Sequence, residues 1–197
     1  MDDPIPGDRE TGHAVFGVTG HRNLPSSPSL LAQVRAGLSE LSEDFGKPST
    51  ASVISMLAEG ADTFAAEEAL ARGWSLTALL PLPLATYRST FSREAVPQLD
   101  ALVASATRVV EPAGMVAPPE CYREAASWML GECDALLAIW DGSPAGDIGG
   151  TSDVVRMAKD MGKPVKVVGV VLADELPNHS LVSRDPVSWG RGDGRDA

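Results

Sequence analysis

Cysteine and aromatic residues are scarce in this chain of 197 residues. Cys121 and Cys133 are the only two cysteines, and they lie too far apart for a Cys-x-x-Cys spacing. The sequence therefore supports neither a zinc site nor a disulfide framework. Aromatic residues make up 5% of the chain. Proteins that bind single-stranded nucleic acid stack bases on aromatic side chains, so this scarcity disfavours such a role.

Positive charge is in deficit. Sixteen Lys and Arg residues stand against 27 Asp and Glu residues, which gives a formal net charge of −11. Because proteins that bind nucleic-acid backbones use Lys and Arg to displace counterions, we expect no nucleic-acid partner. An anion site made of backbone N–H groups stays compatible with this charge, since such groups act locally.

Long hydrophobic runs are missing as well. The most apolar stretch, 76–85, is interrupted by Pro81 and Pro83 and is too short to span a bilayer. Residues 1–10 are acidic and contain prolines, and they lack the basic and apolar regions of a secretory signal. We therefore expect a soluble, cytoplasmic protein with no membrane partner.

Short apolar runs alternate with longer segments of helical periodicity. The runs resemble strands that are covered on both faces, and they predict strands at 13–19, 52–57, 75–80, 107–111, 135–140 and 164–171. The intervening segments predict helices at 29–45, 61–72, 92–105, 120–131 and 151–161. This alternation predicts an α/β fold, with a doubly wound, mostly parallel, Rossmann-like sheet in a single domain.

The pattern of alternating elements sets the expected domain limits. It extends from residue 13 to residue 173, so residues 1–12 are predicted to form an N-terminal extension. Residues 174–197 lose the apolar pattern and are predicted to form a C-terminal tail or arm.

Ligands of open α/β sheets bind at the carboxyl ends of the strands, so the loops that leave the strands are where a site is expected. The first loop reads Gly-Val-Thr-Gly-His-Arg. Gly17 and Gly20 let backbone N–H groups approach a ligand closely. Thr19 and His21 are further candidates, and Arg22 can fork onto a phosphate. The alternative is a tight turn with an exposed arginine.

The loops after the second and third predicted strands carry further candidates. Glu59 follows the second strand, where a carboxylate can hold ribose hydroxyls. Gly60 can turn the chain there, and Asp62 can cap the helix that follows. In the third loop Tyr87 can stack on a base, although packing against the domain is the alternative.

The loop after the fifth predicted strand is rich in glycine. It begins at Asp141 and leads through Gly149 and Gly150 to a helix that starts near Thr151. The two glycines expose N–H groups, and the start of the helix supplies partial positive charge, so a phosphate is the expected occupant. A flexible loop with a side-chain cap is the alternative. The sequence lacks the dinucleotide, P-loop and nucleophile-elbow fingerprints.

Together these loops resemble the SLOG superfamily. This group includes the Lonely-guy phosphoribohydrolases, the DNA-processing protein DprA and nucleotide-sensing domains of bacterial conflict systems. The segments that carry the resemblance are residues 17–22, residues 57–66, the Leu-Pro-Leu-Pro stretch at 80–83 with Tyr87 and Phe91, and residues 149–153. The resemblance implies a Rossmann-like domain that binds a nucleotide or a nucleotide-derived ligand, often as a homodimer.

The hydrolase branch of this superfamily carries the motif Pro-Gly-Gly-x-Gly-Thr-x-x-Glu. Counting from Thr151, Val154 occupies the position of the final Glu, and the nearest acid is Asp153. The paired Arg of that branch falls near Ala125, with Arg123 close by. The resemblance therefore offers Asp153 and Arg123 as catalytic residues only if the chain is an enzyme.

Three functions follow from the sequence. The first is a nucleotide-binding sensor or carrier, with the first and last glycine loops on the phosphate and Glu59 near the ribose. The second is a phosphoribohydrolase-type enzyme that cleaves an N-glycosidic bond, with Asp153 as nucleophile or stabiliser. The third is a structural or partner-binding domain whose loops are only turns. None of the three calls for a metal or a resident cofactor.

Overall fold

The computed structural model describes residues 12–22, 24, 26–111, 119–144 and 148–170. Within these residues the strands are β1 (His13–Gly20), β2 (Thr50–Ser55), β3 (Ser75–Leu79), β4 (Arg108–Val110), β5 (Ala135–Trp140) and β6 (Val165–Gly169). The helices are α1 (Pro28–Asp44), α2 (Ala61–Ala71), α3 (Leu84–Arg88), α4 (Val96–Ser105), α5 (Glu120–Glu132) and α6 (Thr151–Asp160).

All of the strand pairs in the described sheet are parallel, and the strand order is β4-β3-β2-β1-β5-β6. The chain builds the sheet outward from β1 to β4 and then returns to the other side of β1 to add β5 and β6. The order therefore reverses between β1 and β5, where Phe16 pairs with Ala135. A reversal of this kind opens a crevice at the carboxyl ends of the two strands.

Helices cover both faces of the sheet, and the Rossmann-like α/β fold predicted from the sequence is confirmed. Helices α1, α2 and α4 pack on one face around Phe16, Val34 and Leu38, which are fully buried. Helices α5 and α6 pack on the other face around Met129 and Leu130. Each such side chain contributes roughly 1.5–3 kcal/mol by leaving water, so the two layers hold the strand ends in fixed positions.

Helix α1 shows why the local sequence begins and ends a helix where it does. The Ser27 side chain accepts a hydrogen bond of 3.1 Å from the backbone N–H of Leu30, and Pro28 occupies the first turn. Gly46 follows the helix with φ +73°, a left-handed conformation that glycine adopts at little cost. Lys47 then leads into β2, so this end of α1 lies at the amino edge of the sheet.

Two helices differ from the sequence-based expectation. The short helix α3 was not predicted, because it follows a Leu-Pro-Leu-Pro stretch and has too few residues to show a helical period. Helix α4 starts at Val96 and not at Ser92, because the residues before it form a turn in which the Ala95 N–H bonds to the Ser92 carbonyl at 3.0 Å. Pro97 then fits the first turn of α4.

The predicted terminal segments fall largely outside the described residues. The N-terminal extension up to residue 11 and the C-terminal tail at 174–197 are among the parts of the chain for which no structure is given. Among the described helices, none has the length and apolarity needed to cross a membrane.

Candidate functional site

A cavity of about 250 Å³ lies at the carboxyl edge of the sheet, where the strand order reverses. It brings together the end of β1, the start of α2, the ring of Tyr87, the end of β5 and the start of α6. Of the residues proposed from the sequence, the cavity is lined by Thr19, Gly20, His21, Arg22, Asp62, Tyr87, Gly149, Gly150 and Thr151. The four loops therefore meet at one place.

Gly20 makes this meeting possible. A Cβ atom at Gly20 would lie 2.4 Å from the Ala61 Cβ and 2.6 Å from the Ile139 carbonyl oxygen. The next residue joins the same elements, because the His21 N–H donates to the Ile139 carbonyl at 3.1 Å and the His21 carbonyl accepts from the Ala61 N–H at 3.2 Å. The glycine thus serves close packing of β1, β5 and α2.

Gly17 lies deeper in β1 and does not line the cavity. It is paired with Ile54 and Leu136 inside the sheet. A Cβ atom there would lie 3.1 Å from the Cys133 Sγ and 3.2 Å from the Met129 Cγ. The residue therefore allows α5 to pack closely on the sheet.

His21 is held by Asp141. The His21 Nε2 lies 2.9 Å from the Asp141 Oδ1, and that oxygen also accepts from the Ser143 N–H at 2.9 Å. The Ser143 N–H and then His21 lower the pKa of Asp141 to about 2, so the carboxylate is ionised at neutral pH. Asp141 does not line the cavity, and its place in the site is to orient His21.

Arg22 lies beside two aromatic rings. Its Cζ is 6.0 Å from the ring centre of Phe91 and 5.8 Å from that of Tyr122, distances at which a cation is attracted by the ring face. The side chain is exposed and lines the cavity. It therefore places a permanent positive charge where an anion would enter.

Asp62 is the acidic residue that the cavity buries, with 5% of its surface exposed. Desolvation raises its pKa to about 7, although the Ala58 N–H, the Arg22 charge and the Met56 N–H all act against that rise. Between those two N–H groups Leu57 adopts φ +61°, which is unusual for a bulky residue. The left-handed residue turns the chain toward the carboxyl group.

Glu59 and Gly60 do not line the cavity. The Glu59 carboxylate accepts hydrogen bonds from the Ser92 N–H at 2.7 Å and from the Ser92 hydroxyl at 3.2 Å. It thereby ties the loop before α4 to the loop before α2. Gly60, with φ +92°, is the residue that precedes α2 and has no side chain to cap it. The structure thus places Asp62, and not Glu59, at the cavity.

Two buried polar atoms at the cavity have no hydrogen-bond partner among the described residues. They are the hydroxyl of Tyr87 and the indole Nε1 of Trp140. The Tyr87 ring is fully buried and packs edge-on against Phe91, with ring centres 5.0 Å apart. Desolvation and then the Asp62 charge raise the pKa of Tyr87, so its hydroxyl keeps its proton. The ring lacks a free face on which a base would stack.

The start of α6 closes the cavity on the other side. Gly149 has φ +73°, and a Cβ atom there would lie 2.8 Å from the Tyr122 Cβ. Its N–H donates to the Asp153 Oδ2 at 3.0 Å. Gly150 precedes the helix and has no side chain with which to cap it, while Thr151 lines the cavity. The positive end of the α6 dipole is therefore directed at the cavity.

Asp153 and Arg123 lie behind the α6 loop and do not line the cavity. The Arg123 Nε lies 3.6 Å from the Asp153 Oδ2, and Arg156 also pairs with this carboxylate. Burial raises the pKa of Asp153, but the Gly149 N–H, Arg156 and Arg123 more than offset burial and lower it. The two residues offered as catalysts thus neutralise each other and fasten the loop.

Sequence reasoning missed Trp140, Tyr122 and Met56, which also line the cavity. Trp140 had a usable signal, because it ends an apolar strand directly before the glycine-rich loop. Tyr122 and Met56 carried none, since their sequence neighbours indicate only a helix and a strand. Across the described residues, no group of three or more His, Cys, Asp and Glu side chains is arranged to hold a metal ion.

No protein-family model and no curated protein matches the sequence. Solved structures do match its fold. DprA from Streptococcus pneumoniae superposes with a TM-score of 0.58 and 19% identity over 82% of this chain and 52% of the other. DprA from Helicobacter pylori gives 0.54 and 18% over 88% and 76%. The chain spans about half the length of the pneumococcal protein, and it shares the Rossmann-like fold of these structures.

One expectation is wrong. The net charge of −11 and the few aromatics predict no nucleic-acid partner, yet DprA from Helicobacter pylori, which has this fold, binds single-stranded DNA. The physical reason is that the net charge sums the whole surface, whereas a strand or a phosphate is bound by local groups. A negative net charge of the whole chain therefore does not exclude nucleic-acid binding by a protein with this fold.

Proposed function

We propose that this protein binds a phosphate-bearing nucleotide or nucleotide-derived ligand in the cavity at the strand-order reversal, as a sensor or carrier. The observation that carries the proposal is the convergence of an uncapped helix start and an arginine on one cavity. The SLOG-type fold supports it, because open α/β sheets bind ligands at this position.

The anionic end of the ligand belongs at the start of α6. Gly150 and Thr151 lie at the cavity, and because Gly150 provides no side-chain cap, the helix dipole is directed at a ligand there. The exposed guanidinium of Arg22 can fork onto the same phosphate. Asp153 does not oppose the anion strongly, because Arg123 and Arg156 pair with its carboxylate.

The size of the cavity limits the ligand. A volume of about 250 Å³ lies just below that of most small-molecule sites, which run from roughly 300 to 1,000 Å³. A mononucleotide or a sugar phosphate fits a cavity of this size better than a dinucleotide. The homodimer implied by the family resemblance stays a prediction.

The test is isothermal calorimetry with AMP and adenosine, which differ only in the phosphate. We expect AMP to bind and adenosine to bind at least about tenfold more weakly, since a charge-assisted hydrogen bond contributes roughly 1.5–3 kcal/mol. The variant Arg22→Gln should bind AMP about tenfold more weakly than the wild type for the same reason. Mass spectrometry of the recovered ligand should return AMP unchanged.

The matched control is Lys47→Gln, which removes the same charge at the amino edge of the sheet. Lys47 is exposed, and its Nζ lies 3.5 Å from a Glu43 carboxylate oxygen. This variant should bind AMP as the wild type does. Equal binding of AMP and adenosine would contradict the phosphate site, and recovery of adenine with ribose 5-phosphate would favour the enzyme. If a short single-stranded oligodeoxynucleotide displaces AMP, the site also binds single-stranded DNA.

A further inference from the structure

Tyr87 has the environment of a ligand-binding hydroxyl and not of a structural one. The residue is fully buried, it lines the cavity, and its hydroxyl has no hydrogen-bond partner among the described residues. Buried hydroxyls that serve the fold are normally paired. Thr63 shows that pattern in this protein, because its buried hydroxyl donates to the Gly60 carbonyl at 2.9 Å.

The groups around the Tyr87 hydroxyl determine which chemical group of a ligand can bind there. The Asp62 carboxyl acts on the Tyr87 hydroxyl electrostatically. The Arg22 guanidinium acts on it both electrostatically and as a nearby hydrogen-bond donor, although their contact does not have the geometry of a hydrogen bond. Both residues line the same cavity. A ligand group at this position therefore meets a hydrogen-bond donor in Tyr87 and an acceptor in Asp62. An alcohol satisfies both, because its oxygen accepts while its proton is donated. A ketone or a methylene group does not.

We propose that Tyr87 and Asp62 together bind a sugar hydroxyl of the phosphorylated ligand, and that Tyr87 is the residue that selects for this hydroxyl. This inference rests on the proposed function, since it assigns the sugar that carries the phosphate. We expect a bound phosphate to draw the exposed Arg22 side chain toward it and so to give the ligand access to the Tyr87 hydroxyl. The ligand class is therefore a hydroxylated phosphate ester, either a ribonucleotide or a free sugar phosphate.

The experiment compares three probes on the wild type and on Tyr87→Phe, which removes only the hydroxyl oxygen. The probes are AMP, 2′,3′-dideoxy-AMP and ribose 5-phosphate. We expect the wild type to bind AMP about tenfold more tightly than the dideoxy compound. Tyr87→Phe should lose most of this preference, and the Asp62 carboxyl accounts for what remains. If ribose 5-phosphate binds as tightly as AMP, the ligand is a sugar phosphate; if it binds more weakly, the ligand is a nucleotide.

A measurement without ligand separates this role from a structural one. The melting temperature of ligand-free Tyr87→Phe should equal that of the wild type or exceed it by about 2–4 °C, because no protein hydrogen bond is lost. Thr63→Val, which removes a paired hydroxyl, should melt at a lower temperature than the wild type.

The possible failures are distinguishable. If no phosphate ester binds the wild type, the proposed function fails and this inference fails with it. If the wild type binds AMP and Tyr87→Phe keeps the same preference over the dideoxy compound, only the inference is overturned. A lowered melting temperature of ligand-free Tyr87→Phe would likewise overturn it, because the hydroxyl would then serve the fold.

Discussion

Helices α2 and α6 begin in nearly the same way and present two different chemical environments. Each follows a glycine that provides no side-chain cap, and each carries an aspartate in its first turn. Both starts lie at the carboxyl edge of the sheet and line one cavity. An acid in the first turn is ordinary for a helix, because it interacts favourably with the dipole.

The two aspartates differ in what surrounds them. Asp62 is buried, and desolvation raises its pKa to about 7. Asp153 is paired with Arg123 and Arg156, and its pKa is lowered. The difference shows that one helix-start motif can give either a carboxyl that titrates near neutral pH or a fixed anion that fastens a loop. Burial and partners decide between these outcomes.

The largest expected effect comes from removing the titration of Asp62. Its folded pKa, about 7, lies above the ordinary value of 3.8, so over that interval the folded state holds a proton that the unfolded state has released. The free energy of unfolding should therefore fall as pH rises from about 4 to about 7, by at most about 4 kcal/mol, and then level off. Asp62→Asn should remove this fall.

Urea unfolding of both proteins between pH 5 and pH 8 measures the effect. The comparison with the variant isolates Asp62 from the other titrating groups. If the free energy of unfolding of Asp62→Asn depends on pH as that of the wild type does, the Asp62 carboxyl is better solvated than its burial indicates. The contrast with Asp153 would then disappear.

The second largest expected effect is a steric clash on the side of the cavity that α2 forms. Gly20→Ala places a methyl group 2.4 Å from the Ala61 Cβ and 2.6 Å from a backbone oxygen, so β1 and α2 must separate. We expect the free energy of unfolding to fall by about 3 kcal/mol. Gly131→Ala is the control, since it lies in α5 with no atom near the new methyl group and should raise stability slightly. Equal stability of the two variants would contradict the close packing.

The smallest effect concerns the α6 side. Asp153→Asn loses the charge that pairs with two arginines and weakens the bond to the Gly149 N–H, so we expect a loss of about 1 kcal/mol. Thermal unfolding should show this as a fall of about 2–4 °C. Asp160→Asn, which removes an exposed partner of Arg156, should change little. A similar loss in both would mean that Asp153 is only a surface charge.

The sequence was sufficient to predict most of the fold and the edge that carries the site. Apolar runs and glycine-terminated helices follow from local physics, and the strand at 135–140 was predicted to the residue. The short helix α3 was not predictable, because Leu84–Arg88 is too brief to show a period. The different positions of Glu59 and Asp62 were not predictable either, since both residues follow the same strand. Only the tertiary structure shows that Glu59 accepts a hydrogen bond from Ser92, in the loop before α4.

The side-chain contacts around the cavity were less predictable than the fold. The loop glycines predict a close approach of the backbone to a ligand, and what the structure shows at Gly20 and Gly149 is close packing against Ala61 and Tyr122. The hydroxyl of Tyr87 and the pairing of Arg123 with Asp153 depend on side chains that are distant in sequence, so no local pattern announces them. Burial of this kind is decided by tertiary packing, which a single sequence does not display.

The two cysteines at the ends of helix α5 allow local opening of the protein to be measured. Cys121 lies in the first turn of the helix, next to the cavity-lining Tyr122, and Cys133 directly follows its last residue and packs on β1; both thiols are buried. Desolvation raises the pKa of each thiol, so little reactive thiolate forms while the protein is folded. The alkylation rate of Cys121 then reports transient opening beside the cavity, and that of Cys133 reports opening of the sheet. The natural chain thus contains a pair of kinetic reporters, one at each end of a single helix.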